Sequence, residues 1–260
     1  MTTATGRKGA GVFLLGAAVF FVVLVAGPAA GTGIDFLVPG VALEAVDFRA
    51  GTSVVYLVIS EAHGVRDTSL VGLEITRADS LGVGLEIVSS GWPREPEETI
   101  AVSLTLCPGV RGVRSSEEFH DCIGEIRLRQ GSGPLREPSS EEIEDFDLER
   151  LFLKRREGIR REELAPEQVS VPAGTFPCAV VEYFHSDRRR VSIGGVTAER
   201  LEEERSTLRL SPQVPLWGLV SSRVERTSST AGTQDARPWT TRPRVTVTES
   251  VLVEFKVCAE

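Results

Sequence analysis

Ile100-Ala101-Val102-Ser103-Leu104-Thr105-Leu106 puts a large apolar side chain at every second position, with small or polar ones between. Successive side chains of a strand point to opposite faces, so this is a strand with one face buried and the other in water. The same period runs near the C-terminus. There Val245, Val247, Val251, Val253, Phe255 and Val257 fall on one face, interrupted by Glu249. Thr246, Thr248, Ser250, Glu254 and Lys256 fall on the other, with Leu252 as the exception. A strand of that length suits a curved sheet better than a flat sandwich. Further strands are predicted over 53–60, 69–76, 84–88, 123–129, 168–171, 178–185, 189–193, 207–210 and 216–224. Many short strands at close spacing indicate an antiparallel sheet, sandwich or barrel.

One helix is expected in this β background. Ser139 and Glu142 form a capping-box pattern, and Ile143, Phe146, Leu151 and Leu153 share part of one side of a helix reaching about residue 156. Acidic residues (Glu141, Glu142, Glu144) stand at its start and Lys154, Arg155 and Arg156 at its end, as the helix dipole favours. The expected fold is therefore mainly β: a curved antiparallel sheet, or half-barrel, with one amphipathic helix packed on it. The expected division is 1–31 as signal peptide or membrane anchor and 42–260 as one β-rich domain. Its halves, 42–130 and 166–260, are joined by a helical connector at 139–163. The Ser-, Gly- and Pro-containing stretch 227–243 reads as a polar loop.

Residues 9–27 carry no charge and are rich in Phe, Leu and Val; Arg7 and Lys8 precede them and Pro28-Ala29-Ala30-Gly31 follows. Basic residues, an apolar core and then small residues make the layout of a secretory signal. The basic flank stays in the cytoplasm, so the rest is expected to be exported, to the periplasm or cell envelope. A run of this length sits between a cleaved signal and a spanning helix, and both readings stand. In the second, the segment anchors the domain in the inner membrane.

The chain has a formal charge of −8 at neutral pH. Loss of Arg7 and Lys8 with the N-terminal segment leaves the domain near −10. Such a domain is a poor candidate for nucleic acid, whose phosphates call for clustered positive charge. The four cysteines are Cys107, Cys122, Cys178 and Cys258. An even count in an oxidising compartment suggests disulfides. Cys107–Cys122 is expected to clamp the irregular segment between them, worth roughly 3 kcal/mol in the chain-entropy picture. Cys178–Cys258 would then join two C-terminal strands.

Signals for chemistry are few. The sequence has no Gly-x-Ser-x-Gly elbow, no His-Glu-x-x-His helix and no phosphate-cradling glycine loop. The near-neutral bases are His63, His120 and His185, each beside turn or polar residues. No catalytic residue, metal ligand or cofactor is expected.

A resemblance adds to this. Val169-Ser-Val-Pro-Ala-Gly-Thr-Phe-Pro-Cys178 resembles a V-x-V-P-A-G-T-F-x-C phrase of bacterial exported β-domain proteins. Leu210-Ser-Pro-Gln-Val-Pro-Leu-Trp-Gly-Leu219, Phe48-Arg-Ala-Gly-Thr-Ser-Val-Val-Tyr56 and Gly84-Leu-Glu-Ile87 resemble other segments of the same family. That family is similar in architecture to the periplasmic lipoprotein-localisation (Lol-type) carriers, and the resemblance covers roughly residues 45–225. It implies a curved sheet around an apolar cavity closed by helices. It carries over no catalytic residue. The function expected is a non-enzymatic envelope protein binding an apolar ligand, a lipid or the acyl chain of a lipoprotein. Trp217, Phe176 and Phe184 are the candidate ligand-lining residues. The alternative is a membrane-anchored structural or interaction module without a small-molecule ligand.

Overall fold

Among the described residues eleven strands pair antiparallel into one sheet that does not close. They are β1 (Ser53–Ala62), β2 (Val65–Asp79), β3 (Gly82–Gly91), β4 (Ile100–Leu106), β5 (Ile123–Gln130), β6 (Arg160–Val171), β7 (Gly174–Ile193), β8 (Val196–Leu210), β9 (Leu219–Gln234), β10 (Arg237–Thr240) and β11 (Arg244–Lys256). The computed structural model describes residues 48–92, 99–110, 118, 121–139, 160–193, 196–234 and 237–258. The order across the sheet is β5-β4-β3-β2-β1-β11-β9-β8-β7-β6, with β10 on β9. Two meanders are thus joined side by side where the first strand pairs with the last. The expected helix and the N-terminal apolar run lie outside the described residues. Among the described residues helical backbone is seen only between β4 and β5, at Val110 (3-10), Glu118, Asp121 and Cys122.

Alternation decides which face is buried. Val54, Tyr56 and Val58 of β1, Val71, Leu73 and Ile75 of β2, Leu85 and Ile87 of β3 and Val102, Leu104 and Leu106 of β4 all lie in the core. The turn between β1 and β2 is a two-residue one, with His63 and Gly64 both at positive φ (55° and 76°). That mirror-image turn matches the right-handed twist of the flanking strands.

The C-terminal strand corrects the expectation made from its alternation. Ser250 and Leu252 are fully buried, while Val245 is 44% exposed. The buried face is the one the sequence reads as polar. The cause is a β-bulge: Val55 pairs with Glu254 but Tyr56 pairs with Leu252, so Val253 is the extra residue. It re-phases the strand, and Phe255 joins Leu252 on the core side.

Other boundaries also move. The connector ends earlier than expected, because Arg160 to Leu164 already pair with β7. The two strands expected at 178–185 and 189–193 are one 20-residue strand, β7. The expected polar loop at 227–243 is largely strand: β9 runs to Gln234 and β10 pairs back on it.

The β6–β7 hairpin returns over the sheet. Strands β6 and β11 stand four places apart in the order, which in a flat sheet is about 19 Å. Yet Ala173, in the hairpin turn, donates its N–H to the Leu252 carbonyl at 3.4 Å. Phe176 also meets Phe255 edge to face, with ring centroids 6.0 Å apart.

Candidate ligand-binding face

Paired residues on neighbouring strands share a face, so the register lays the core side of the sheet out in rows. One row is Val71, Tyr56 and Leu252. The next runs Val58, Ser250, Ser222, Leu208 and Val181. The third is Ser60, Thr248, Val224, Ser206 and Tyr183. The fourth is Ala62, Thr246, Arg226, Glu204 and His185. A fifth holds Arg244, Ser228, Glu202 and Asp187. Along one face the chemistry passes from aliphatic and aromatic, through hydroxyls, to ion pairs.

The hydroxyls of the middle rows are paired with one another. The Ser222 and Ser250 hydroxyls lie 2.6 Å apart in the buried interior. Ser60 and Thr248 form a second such pair at 3.0 Å. Ser206 donates to the Glu204 carboxylate at 3.3 Å, and Arg226 donates to the same carboxylate at 2.9 Å. The burial of these hydroxyls is tolerated because each of them finds a partner. Beyond them Arg189 and Arg200 both reach the Glu202 Oε1 atom, at 3.0 and 2.8 Å.

Two segments cover the apolar end. One is the β6–β7 turn, where Pro172 and Ala173 link the strands; Gly174, which opens β7, stands at φ 142°, which a side chain rarely adopts. The other is the loop between β8 and β9. Its ends are tied by the Ser211 N–H to the Gly218 carbonyl at 2.7 Å, and Val214, Leu216 and Trp217 are buried. Leu216 has φ 62°, the left-handed region, which costs a non-glycine residue on the order of 1 kcal/mol or more. The loop holds that strain in order to turn its apolar side chains inward.

Of the candidate ligand-lining residues, Trp217 and Phe176 belong to the same buried cluster as Tyr56, Leu252 and Phe48. Phe184 does not. It is 43% exposed and aligned with Arg160 and Arg205, on the side opposite Tyr183 and Ser206. Tyr56, Leu216 and the paired hydroxyls are the members that sequence reasoning missed. A buried tyrosine in an alternating strand was the available signal for Tyr56. Burial pushes the Tyr56 phenol far above its usual range. Tyr183 is raised too, chiefly by burial, with Arg161 opposing.

Cys107 and Cys122 are joined in a disulfide that ties the end of β4 to the start of β5. The expected second bridge is not formed: Cys178 and Cys258 are free thiols. Cys178 is buried on β7, its Sγ 3.5 Å from the Phe176 carbonyl, whereas Cys258 lies past the end of β11 beside Gly51. Burial, with Glu167 adding to it, pushes the Cys178 thiol up. Among the described residues no group of three His, Cys, Asp or Glu side chains is placed to hold a metal ion.

No known family model matches the chain, and no curated protein matches it. Solved structures give distant likenesses. One is named as an exported protein with a YmcC-like fold from Bacteroides fragilis NCTC 9343, at 11% identity over 82% of this chain and 98% of that one, TM-score 0.35. A second is named as a lipoprotein from Parabacteroides distasonis ATCC 8503, at 15% identity over 81% and 97%, TM-score 0.35. A third is named as an outer membrane lipoprotein-sorting protein domain from Vibrio parahaemolyticus, at 13% identity over 82% and 88%, TM-score 0.32. At these TM-scores the likenesses assign neither a family nor an activity.

Proposed function

We propose that this chain is an exported envelope protein that binds an amphipathic ligand, a lipid or the acyl chain of a lipoprotein, against the core side of its sheet. The observation that carries this reading is the single face that grades from apolar through paired hydroxyls to ion pairs. An acyl chain matches the Tyr56–Leu252 end, and a polar head matches the Ser206–Glu204–Arg226 end. The 211–218 loop fills the apolar end with Val214, Leu216 and Trp217. Its strained Leu216 backbone and its Trp217 indole make it the segment that would yield to an acyl chain. The half-barrel form and the periplasmic or envelope location belong to this proposal. The basic-then-apolar N-terminal run supports the location, and the Cys107–Cys122 disulfide suits an oxidising compartment.

The test is quenching of tryptophan fluorescence by phosphatidylcholine with brominated acyl chains, added to the full chain. Trp217 should be quenched, and Trp217→Phe should remove most of the effect. If the quenching is unchanged in that variant, acyl chains do not reach this site and the reading is wrong.

A further inference from the structure

Past the row of Ala62, Thr246, Arg226, Glu204 and His185, the sheet narrows. Among the described residues only β7, β8, β9 and β10, with the first residues of β11, continue. From His185 to Ile193 β7 advances eight residues, so the arm extends about 26 Å. Arg188, Arg189, Arg190 and Ser192 are all exposed, and among the arm residues whose burial is described Ala198 is the one buried apolar residue. Such an arm adds almost nothing to the core.

Its charge is opposite to that of the protein. Segments 186–203 and 227–245 together hold seven arginines (Arg188, Arg189, Arg190, Arg200, Arg237, Arg242 and Arg244) and five carboxylates (Asp187, Glu199, Glu202, Glu203 and Asp235). That is a net +2 in a chain of net −8. The exposed ion pairs elsewhere on β7–β9 and β11 are matched: Arg205 with Glu182, Arg209 with Glu167 and Arg223 with Glu249. In the arm, two guanidiniums share the one Glu202 carboxylate. Aromatic and aliphatic residues are interleaved with this charge. Trp239 of β10 lies flat on Gly232, where the space a Cβ would take is filled by its indole. Val191 and Ala198 continue the same row across β7 and β8. Arginines around an aromatic and a few aliphatics fit an anionic bilayer surface, whose lipid phosphates attract the guanidiniums while the interfacial zone accepts the indole.

We infer that the β7–β10 arm docks onto the surface of an anionic lipid bilayer. The inference does not require the ligand reading: it rests on the exposed charge of the arm, which meets the polar end of that face at Glu202, Arg189, Arg200 and Arg244. The experiment is vesicle co-sedimentation of the full chain with phosphatidylglycerol/phosphatidylcholine vesicles and with pure phosphatidylcholine vesicles, at low and high salt. The uncharged 9–27 run contributes alike to both compositions, and its basic flank, Arg7 and Lys8, is the same in the wild type and every variant. Binding is expected to be stronger on the anionic vesicles and to weaken with salt. The triple variant Arg188→Glu, Arg189→Glu, Arg190→Glu should lower anionic-vesicle binding by roughly tenfold or more and leave phosphatidylcholine binding unchanged. A double variant on another strand, Arg242→Glu with Arg244→Glu, should act in the same direction and guards against local misfolding. Equal binding of the wild type to both compositions, or anionic binding unaffected by both variants, overturns the inference. So does protection from hydrogen exchange that falls outside 186–203 and 227–245 when anionic vesicles are added.

Discussion

Tyr56 of β1 donates its hydroxyl hydrogen to the carbonyl of Leu219 at 3.0 Å, across the intervening strand β11. The bond ties the first meander to the first residue of β9, and it is fully buried. Tyr56→Phe keeps the ring but leaves the Leu219 carbonyl unpaired, so it should cost about 1–3 kcal/mol in urea unfolding. Tyr56→Ala also opens a cavity and should cost about 3–5 kcal/mol. Equal losses for the two variants would show that the hydroxyl contributes nothing.

The same phenol sets an alkaline limit. Its folded-state pKa is raised from 10.0 by burial. The native state therefore keeps its proton where the unfolded chain loses it. That contribution is complete below pH 10 and falls as the pH rises above it. Unfolding free energy measured from pH 8 to 11 should be level for this group at first and then decline. Tyr56→Phe should lose the part of the decline that the phenol causes.

The buried pair Ser222 and Ser250 should show non-additivity. Either single change to Ala leaves one buried hydroxyl without its partner and should cost about 1–2 kcal/mol. The double change removes both polar groups and should cost clearly less than the sum. An additive cycle would mean that the two hydroxyls are independently satisfied.

Thr52 offers a stabilising change. It is 2% exposed, and its hydroxyl has no hydrogen-bond partner. Thr52→Val exchanges that hydroxyl for a methyl of similar volume and should raise stability by about 1 kcal/mol. A loss of stability by thermal or urea unfolding would overturn this.

Thiol reactivity separates the two free cysteines. Under native conditions iodoacetamide should label Cys258, which is partly exposed, and leave Cys178 unmodified until denaturant is added. Cys178 is 2% exposed and its thiol is held in the protonated form. Rapid native labelling of Cys178 would show that β7 opens locally.

The sequence was legible wherever one strand face is buried and the other is not. The stretch Ile100–Leu106 is β4 at the expected boundaries. Legibility failed in two ways. In β11 the period is intact, but the bulge at Val253 changes the phase, so the apolar stripe before it points away from the core. No pattern of residue types marks that position. In β7–β10 the signal is absent, because the arm has no buried face to impose a period. The gap between the strands expected at 178–185 and 189–193 therefore looked like a break, and 227–243 like a loop. At the candidate site, Trp217 and Phe176 were readable as large aromatics beside turn-forming Pro and Gly. The hydroxyl pairs were not, since each joins residues on separate strands.

The pairing of β1 with β11 has a consequence for the order of the chain. The Cys258 sulfur lies close to Gly51, just ahead of β1, so the described chain enters and leaves the sheet at nearly the same point. Across the sheet the first and last strands are neighbours in the middle, and the two edges, β5 and β6, are consecutive in the chain. A circular permutant joining the segment after Cys258 to the one before Phe48 by a short Gly/Ser linker, and opened between β5 and β6, would place the two edge strands at its ends. Every strand pairing would be retained. The seam between the meanders, made by a pairing of the two most distant strands in sequence, would become a local hairpin.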